Sequence, residues 1–344
     1  MTVGRREQIA ADAVIGSRSD GAATQMRRMI TFATAVLLLW LTPALAAARS
    51  PSAMRWSGTG FARNGNAIEH LTIRGQDAKG HQVFIRFSMA NAAYRGGELE
   101  VTLRVETKQG TLYEKKTFAK GSFQVDSDKL GITAGPNQLS MDGDKAVLRF
   151  ALGALRAEGT LELRGSALHT ASGGSGGLIE RDLITPWGRL QLAIGHKDGR
   201  SLQLDATVFA VREASTVTAH RVFDRSVQLH RIGGGQVAIV DYIVMPSERG
   251  GKPLGFMALK GKGTSFVGEV SEETRQAQHR DGATSYMVPW SVAVKAQRAA
   301  VAAELTMTAS RQVSRKDDLA KLPYLARKTV GMLFKPFTFV LDGV

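Results

Sequence analysis

Glu213 and Asp241 are the two carboxylates whose surroundings in the sequence suit proton chemistry. Glu213 follows the apolar run 204–211, and Asp241 interrupts Ile239-Val240 and Tyr242-Ile243-Val244. On an extended chain alternate side chains share a face, so Asp241 stands with Ile239 and Ile243. A carboxylate on such a face pairs with an arginine or looks into a cavity, because an isolated buried charge is too costly. Pairing is the expectation for Asp241. In a cavity, either carboxyl could serve as a general acid, which requires a desolvated group with a raised pKa. Glu272-Glu273 and Asp317-Asp318 lie in polar, wet stretches and are poor candidates. Trp187 and Tyr242 could stabilise a cation, and Trp187, Phe209, His220, Tyr242 and Trp290 are the candidate ligand-binding residues.

Other chemistries find little support. Residues 173–177 satisfy the pattern G-x-S-x-G, yet a nucleophile elbow needs a strand before the serine and a helix after it. Here glycine and serine stand on both sides, and the stretch reads as a flexible loop. The seven histidines (His70, His81, His169, His196, His220, His230 and His279) form no short chelating pair, so no metal site is expected. His220 to Asp224, with His230 beyond, is the densest polar cluster. No glycine loop precedes a helix to cradle a phosphate, so no nucleotide cofactor is expected, nor any other cofactor.

The elements that must position these residues are strands. Val83, Ile85, Phe87 and Met89 alternate with Phe84, Arg86 and Ser88, and Leu99, Val101, Leu103 and Val105 alternate with polar residues. Similar runs occur at 161–163, 190–194, 202–208, 227–229, 237–239 and 337–341. Turn signals stand between them at Lys108-Gln109-Gly110, Asp142-Gly143-Asp144 and Asp198-Gly199, the last reading as a type I′ hairpin. Many strands at short spacing indicate an all-β sandwich or barrel. Residues 319–334 alone mix apolar and basic residues with helical character, as a barrel-closing segment or a membrane-surface helix would.

Export frames everything else. Met26-Arg27-Arg28-Met29, the apolar run 30–41 and Ala44-Leu45-Ala46 form a Sec-type signal with cleavage after Ala46. Residues 1–25 read as an extension before the true start. The remainder is expected in the periplasm or outside the cell. It has no cysteine, which excludes thiol catalysis and thiolate metal sites, and it is long enough to build a core without disulfides. Formal charge is +14; residues 1–46 hold five arginines and three acids, which leaves +12 beyond them. Outside the cytoplasm the matching partner is an anionic membrane surface or envelope polymer rather than nucleic acid. Scattered along the chain, the same charge also serves solubility.

Phe84 to Asn91, a following glycine turn, Tyr113, the Leu130-Gly131-Ile132 step and a strand ending near Leu168 together resemble the tandem lipocalin-like family. That family includes AttH-like proteins, carotenoid 1,2-hydratases and fungal survival-factor proteins. Pro186-Trp187-Gly188-Arg189-Leu190 is similar to its strand approaching the junction between barrels. The resemblance implies an all-β fold of two consecutive lipocalin-like antiparallel barrels packed together, here 47–195 and 196–344 after the signal at 26–46. It also implies an apolar ligand, a lipid or isoprenoid, in a barrel or between the two. Where many members carry an Asp-His motif, this chain reads Phe209 to Ser215 and then His220 to Arg225. That departure favours a non-catalytic binder of an apolar molecule. A hydratase, isomerase or cyclase, and a structural envelope protein, are the alternatives.

Overall fold

The computed structural model describes Trp56 and residues 66–92, 95–126, 128–172, 178–216, 225–233, 235–246, 250–284, 286–317 and 337–343. The signal segment, the glycine loop 173–177, His220 with its polar cluster, and the basic segment 319–334 lie outside them. The described residues contain no helix and form nineteen strands. The first twelve are β1 (Asn66–Asp77), β2 (Gln82–Ala92), β3 (Arg95–Thr107), β4 (Gly110–Phe118), β5 (Gln124–Asp126), β6 (Gly131–Ala134), β7 (Asn137–Asp142), β8 (Lys145–Leu152), β9 (Leu155–Glu162), β10 (Leu168–Ser172), β11 (Ile179–His196) and β12 (Ser201–Ser215). The rest are β13 (Arg225–Gly233), β14 (Gln236–Val244), β15 (Pro253–Lys260), β16 (Ser265–Arg280), β17 (Met287–Arg298), β18 (Val301–Asp317) and β19 (Phe337–Gly343).

They make two consecutive curled antiparallel sheets, the lipocalin-like arrangement. The first runs β4-β3-β2-β1-β12-β11-β9-β8-β7-β6-β5, with β10 attached to β11; the second is a meander from β13 to β19. Compact units divide within β16, between Glu269 and Val270.

Alternation builds the first sheet. In β8, Ala146, Leu148, Phe150 and Leu152 turn inward while Lys145 and Arg149 face water. Their inward row meets Leu99, Val101, Leu103 and Val105 of β3 and Ile85 and Phe87 of β2 in one core, with Phe87 and Phe150 rings 5.9 Å apart. The sheet curls until Glu114 of β4 accepts a hydrogen bond from the Ala154 amide in the β8–β9 turn, at 3.1 Å.

Turn chemistry sets the registers. Gly143 occupies a positive φ of 55° in the two-residue β7–β8 hairpin, where a side chain would be strained. At Asp198-Gly199 the Gly199 amide bonds the His196 carbonyl, and of these residues only Gly199 has positive φ. This is a type I turn followed by a left-handed residue, instead of the expected type I′. The chain between β11 and β12 has four residues rather than two, so a single left-handed residue restores the strand twist.

Where strands stop alternating, both faces are covered. β12 alternates from Ser201 to Val208 and is then buried continuously through Arg212. β11 is buried continuously from Arg181 to Pro186, and β14 from Ile239 to Val244. There β10, β11 and β12 face β14 and β15: Leu168, Leu183, Phe209 and Val211 from the first sheet pack with Val237, Ile239, Phe256, Ala258 and Val267 from the second. A strand buried on both faces needs an unbroken apolar run, and Phe209-Ala210-Val211 and Ile239-Val240 supply it.

Candidate functional site

Parity delivers a few polar side chains into this apolar layer. On β12, Phe209, Val211 and Glu213 share the face toward the second sheet; on β11 Arg181 and Leu183 do. On β14, Ile239, Asp241 and Ile243 do. Across the first sheet Thr170, Arg181, Glu213 and His70 stand opposite one another in successive strands. Across the second, one rung reads Gln228, Asp241, Phe256, Glu269.

Arg181 joins the two rungs. Its guanidinium is fully buried and donates from Nε and Nη2 to Glu213 Oε1 at 2.9 and 2.6 Å, and from Nη2 to Asp241 Oδ1 at 2.5 Å. Nη1 donates to the Leu254 carbonyl at 3.2 Å, and the guanidinium lies 5.7 Å from the centre of the Phe256 ring. Burial alone would lower its pKa, but the Asp241 and Glu213 charges raise it above the ordinary arginine value. Burial likewise works against the Asp241 carboxylate, and the Arg181 charge together with His230 brings it down to about 2. His230 Nε2 lies 3.8 Å from Asp241 Oδ2, and the His230 ring packs 4.4 Å from that of Phe209. Arg74, whose pKa burial lowers against the pull of Asp241 and Glu213, donates to Gln228 at 3.2 Å.

Glu213 and Asp241, nominated separately by the sequence, thus meet on one arginine. Held ionised, Asp241 is a fixed charge and hydrogen-bond acceptor, not a proton donor. Trp187 packs at the edge of the same apolar cluster with the Lys260 ammonium 5.6 Å from its ring, and Phe209 lies within the cluster. Tyr242 is buried on the opposite face of β14 from Asp241. Trp290 belongs to the unit after Glu269, where its ring lies 5.2 Å from that of His279 and tilted to it by 56°.

A second buried cluster faces the interior of the first sheet. Arg212 donates to Glu69 at 2.6 Å, to Asp182 and to Glu180 at 3.1 Å. Burial opposes its charge, while Glu69 and Asp182 raise its pKa overall. Asp182 also holds His169 Nδ1 at 2.5 Å. The sequence gives little sign of these residues: Arg181, Asp182 and Arg212 look like charges in ordinary polar stretches. Only their position beside unbroken apolar runs betrays burial. Among the described residues, no group of histidine and carboxylate side chains could hold a metal ion.

No family model matches the sequence, and no curated protein matches it significantly. Solved structures do. Similar to this chain is CghA with Sch210972, at a TM-score of 0.50 and 9% identity over 74% of this chain and 79% of that one. The fold is shared. CghA in a second structure (TM-score 0.43, 9% identity, 74% and 78% covered) and kievitone hydratase from Nectria haematococca (0.41, 8%, 78% and 85%) are more distant. At such identities the likeness establishes architecture, and chemistry has to be argued from the residues themselves.

Proposed function

We propose that this protein is an enzyme of the hydratase, isomerase or cyclase type, acting on an apolar small molecule at the face where the two sheets meet. The observation that carries this reading is the fully buried Arg181, with Glu213 and Asp241 on it, set in a wall of Phe209, Val211, Ile239 and Phe256. Well-packed apolar residues would hold two sheets together as well as or better than a buried charge network. A fixed set of charges in a low-dielectric layer is instead what stabilises charge developing in a transition state. That CghA was solved with Sch210972 supports an architecture able to take up such a molecule.

One observation favours the non-catalytic carrier as second reading: Glu213 and Asp241 are both tied to Arg181, which leaves neither as a ready acid. Under either reading the export signal puts the protein outside the cytoplasm, and its positive charge suits it to anionic membrane surfaces.

The test is native mass spectrometry of protein from the cell-envelope fraction, followed by incubation with squalene, lycopene and geranylgeraniol in ¹⁸O-water. A labelled alcohol or an isomerised product supports the enzyme. A stoichiometric lipid recovered unchanged supports the carrier. A ligand-free mass with no uptake of the three probes removes both and leaves an interaction protein.

A further inference from the structure

Among the described residues, the large apolar side chains that reach the surface are Tyr113, Leu178, Tyr286, Met287 and Val301. Single ones are ordinary on any protein surface. Tyr286 and Met287 differ: they are consecutive, 44% and 52% exposed, where the turn after β16 enters β17.

The turn holds them in water. The Asp281 amide donates to the Tyr286 carbonyl at 2.9 Å and closes the loop. The buried Asp281 carboxylate accepts from the Thr284 amide and hydroxyl at 2.8 and 2.6 Å, and from Gln312 of β18 at 3.5 Å. The Thr284 hydroxyl oxygen accepts in turn from the Tyr286 amide at 3.3 Å. Folding the two apolar side chains back would break these bonds and leave buried polar groups unpaired, which is costly. Their exposure is therefore built into the turn.

The charge beside them is positive. Asp281 opposite Tyr286, the Ser291 hydroxyl donating to Gln276 at 3.0 Å and Lys295 paired with Glu272 at 3.1 Å all fall on one register, which sets Met287 opposite Arg280. Arg280 is exposed, as is Arg311, the neighbour in β18 of the Gln312 that reaches Asp281. The one carboxylate in the turn, Asp281, is occupied by the turn itself. Glu272 and Glu273, further down β16, stand with Lys295 and Arg275. The His279 and Trp290 rings come next along the hairpin.

An aromatic and a thioether side chain between arginines suit the headgroup level of an anionic bilayer. Tyrosine is at home there with its ring in the acyl boundary and its hydroxyl in water, and guanidinium groups pair with lipid phosphates. A protein partner fits less well. Two adjacent side chains fall far short of the ~800 Å² that each side of a stable interface buries, whereas a bilayer needs no complementary shape.

We propose that the β16–β17 turn is the point at which the protein touches an anionic phospholipid bilayer, with Tyr286 and Met287 entering the headgroup layer and Arg280 and Arg311 pairing with lipid phosphates. This rests on the membrane reading of the net charge and deepens it, assigning to one turn a contact that charge alone leaves spread over the surface. It holds whether or not the Arg181 site is catalytic.

The chain has no cysteine, so a single introduced one takes a label without interference. Protein purified from the cell envelope carries a nitrobenzoxadiazole label at Met287→Cys or Ala283→Cys in the turn. The comparison positions are Val301→Cys, at the far end of β17, and Tyr113→Cys, on β4; all four sites are exposed. Sedimentation and label emission are followed at low salt with phosphatidylcholine vesicles that contain or lack phosphatidylserine. The expected result is emission that rises and shifts to the blue at the two turn positions, with phosphatidylserine only, and stays unchanged at Val301 and Tyr113. Tyr286→Ser combined with Met287→Ser should weaken vesicle binding by about tenfold, and the labels decide the point of contact even if that variant loses stability. Sedimentation with silent turn labels, or an equal response at all four positions, overturns the assignment alone. A blue shift of the turn labels that grows with protein concentration in the absence of vesicles also overturns it, in favour of contact between copies of the chain. Protein that stays free of phosphatidylserine vesicles overturns the membrane reading together with it.

Discussion

At the scale of single residues, Arg181 is the side chain on which most depends. Its two carboxylate partners differ: the Asp241 side chain is 5% exposed and that of Glu213 is 35%. If Arg181 is lost, Glu213 rehydrates and Asp241 is stranded. Arg181→Met is therefore expected to cost about 3–5 kcal/mol of unfolding free energy, the usual result of breaking a buried pair. Adding Asp241→Leu should restore most of it, and urea denaturation of the single and double variants measures both. Acid acts on the same pair. Folding lowers the Asp241 pKa from 3.8 to about 2. Its contribution is therefore present above about pH 4 and disappears as pH falls toward 2. The difference amounts to roughly 2 kcal/mol, at 1.36 kcal/mol per pH unit. Between pH 4 and 2 the wild type should lose that much more stability than Asp241→Asn, whose amide does not titrate.

At the scale of strands, the site depends on how closely β14 and β15 approach. Gly255 stands opposite Tyr242, and a Cβ placed there would lie 2.2 Å from the Asp241 carbonyl oxygen and 2.5 Å from the Tyr242 Cα. Those neighbours are backbone and cannot swing aside. Gly255→Ala is expected to destabilise the protein by about 3 kcal/mol, at the upper end of common single substitutions. It should also spread the strands beside Asp241, seen as faster exchange of the Asp241 and Tyr242 amide protons. On β11 the register shifts between Leu183 and Thr185 and again between Thr185 and Gly188. These bulges separate the half of β11 that pairs with β10 from the half that pairs with β9. The faces themselves follow alternation along β11: Arg181 and Leu183 turn to the second sheet, and Ile184, Leu190 and Leu192 to the first core.

For the whole molecule the governing quantity is charge. The formal +12 that remains beyond residue 46 would attract anionic surfaces over about a Debye length, ~10 Å at 0.1 M salt and ~3 Å at 1 M. If membrane docking rests on charge, the protein should sediment with phosphatidylserine vesicles at low salt, stay free of phosphatidylcholine vesicles, and come off the former near 1 M salt. Retention at 1 M would instead indicate apolar insertion. Among the described residues no helix is long and apolar enough to cross a membrane.

The sequence by itself determined the all-β class, because period-two alternation over Val83–Met89 and Leu99–Val105 admits only strands with one face buried. It also placed Asp241 on the side of Ile239 and Ile243, since alternation along a strand is purely local. The pairing of strands was not legible in the same way. Nothing between Ala171 and Glu213 announces that Arg181 will stand opposite Glu213 and reach Asp241, sixty residues further along the chain. Register and the packing of one sheet on another are non-local, and a one-residue slip would have sent Arg181 to the other face.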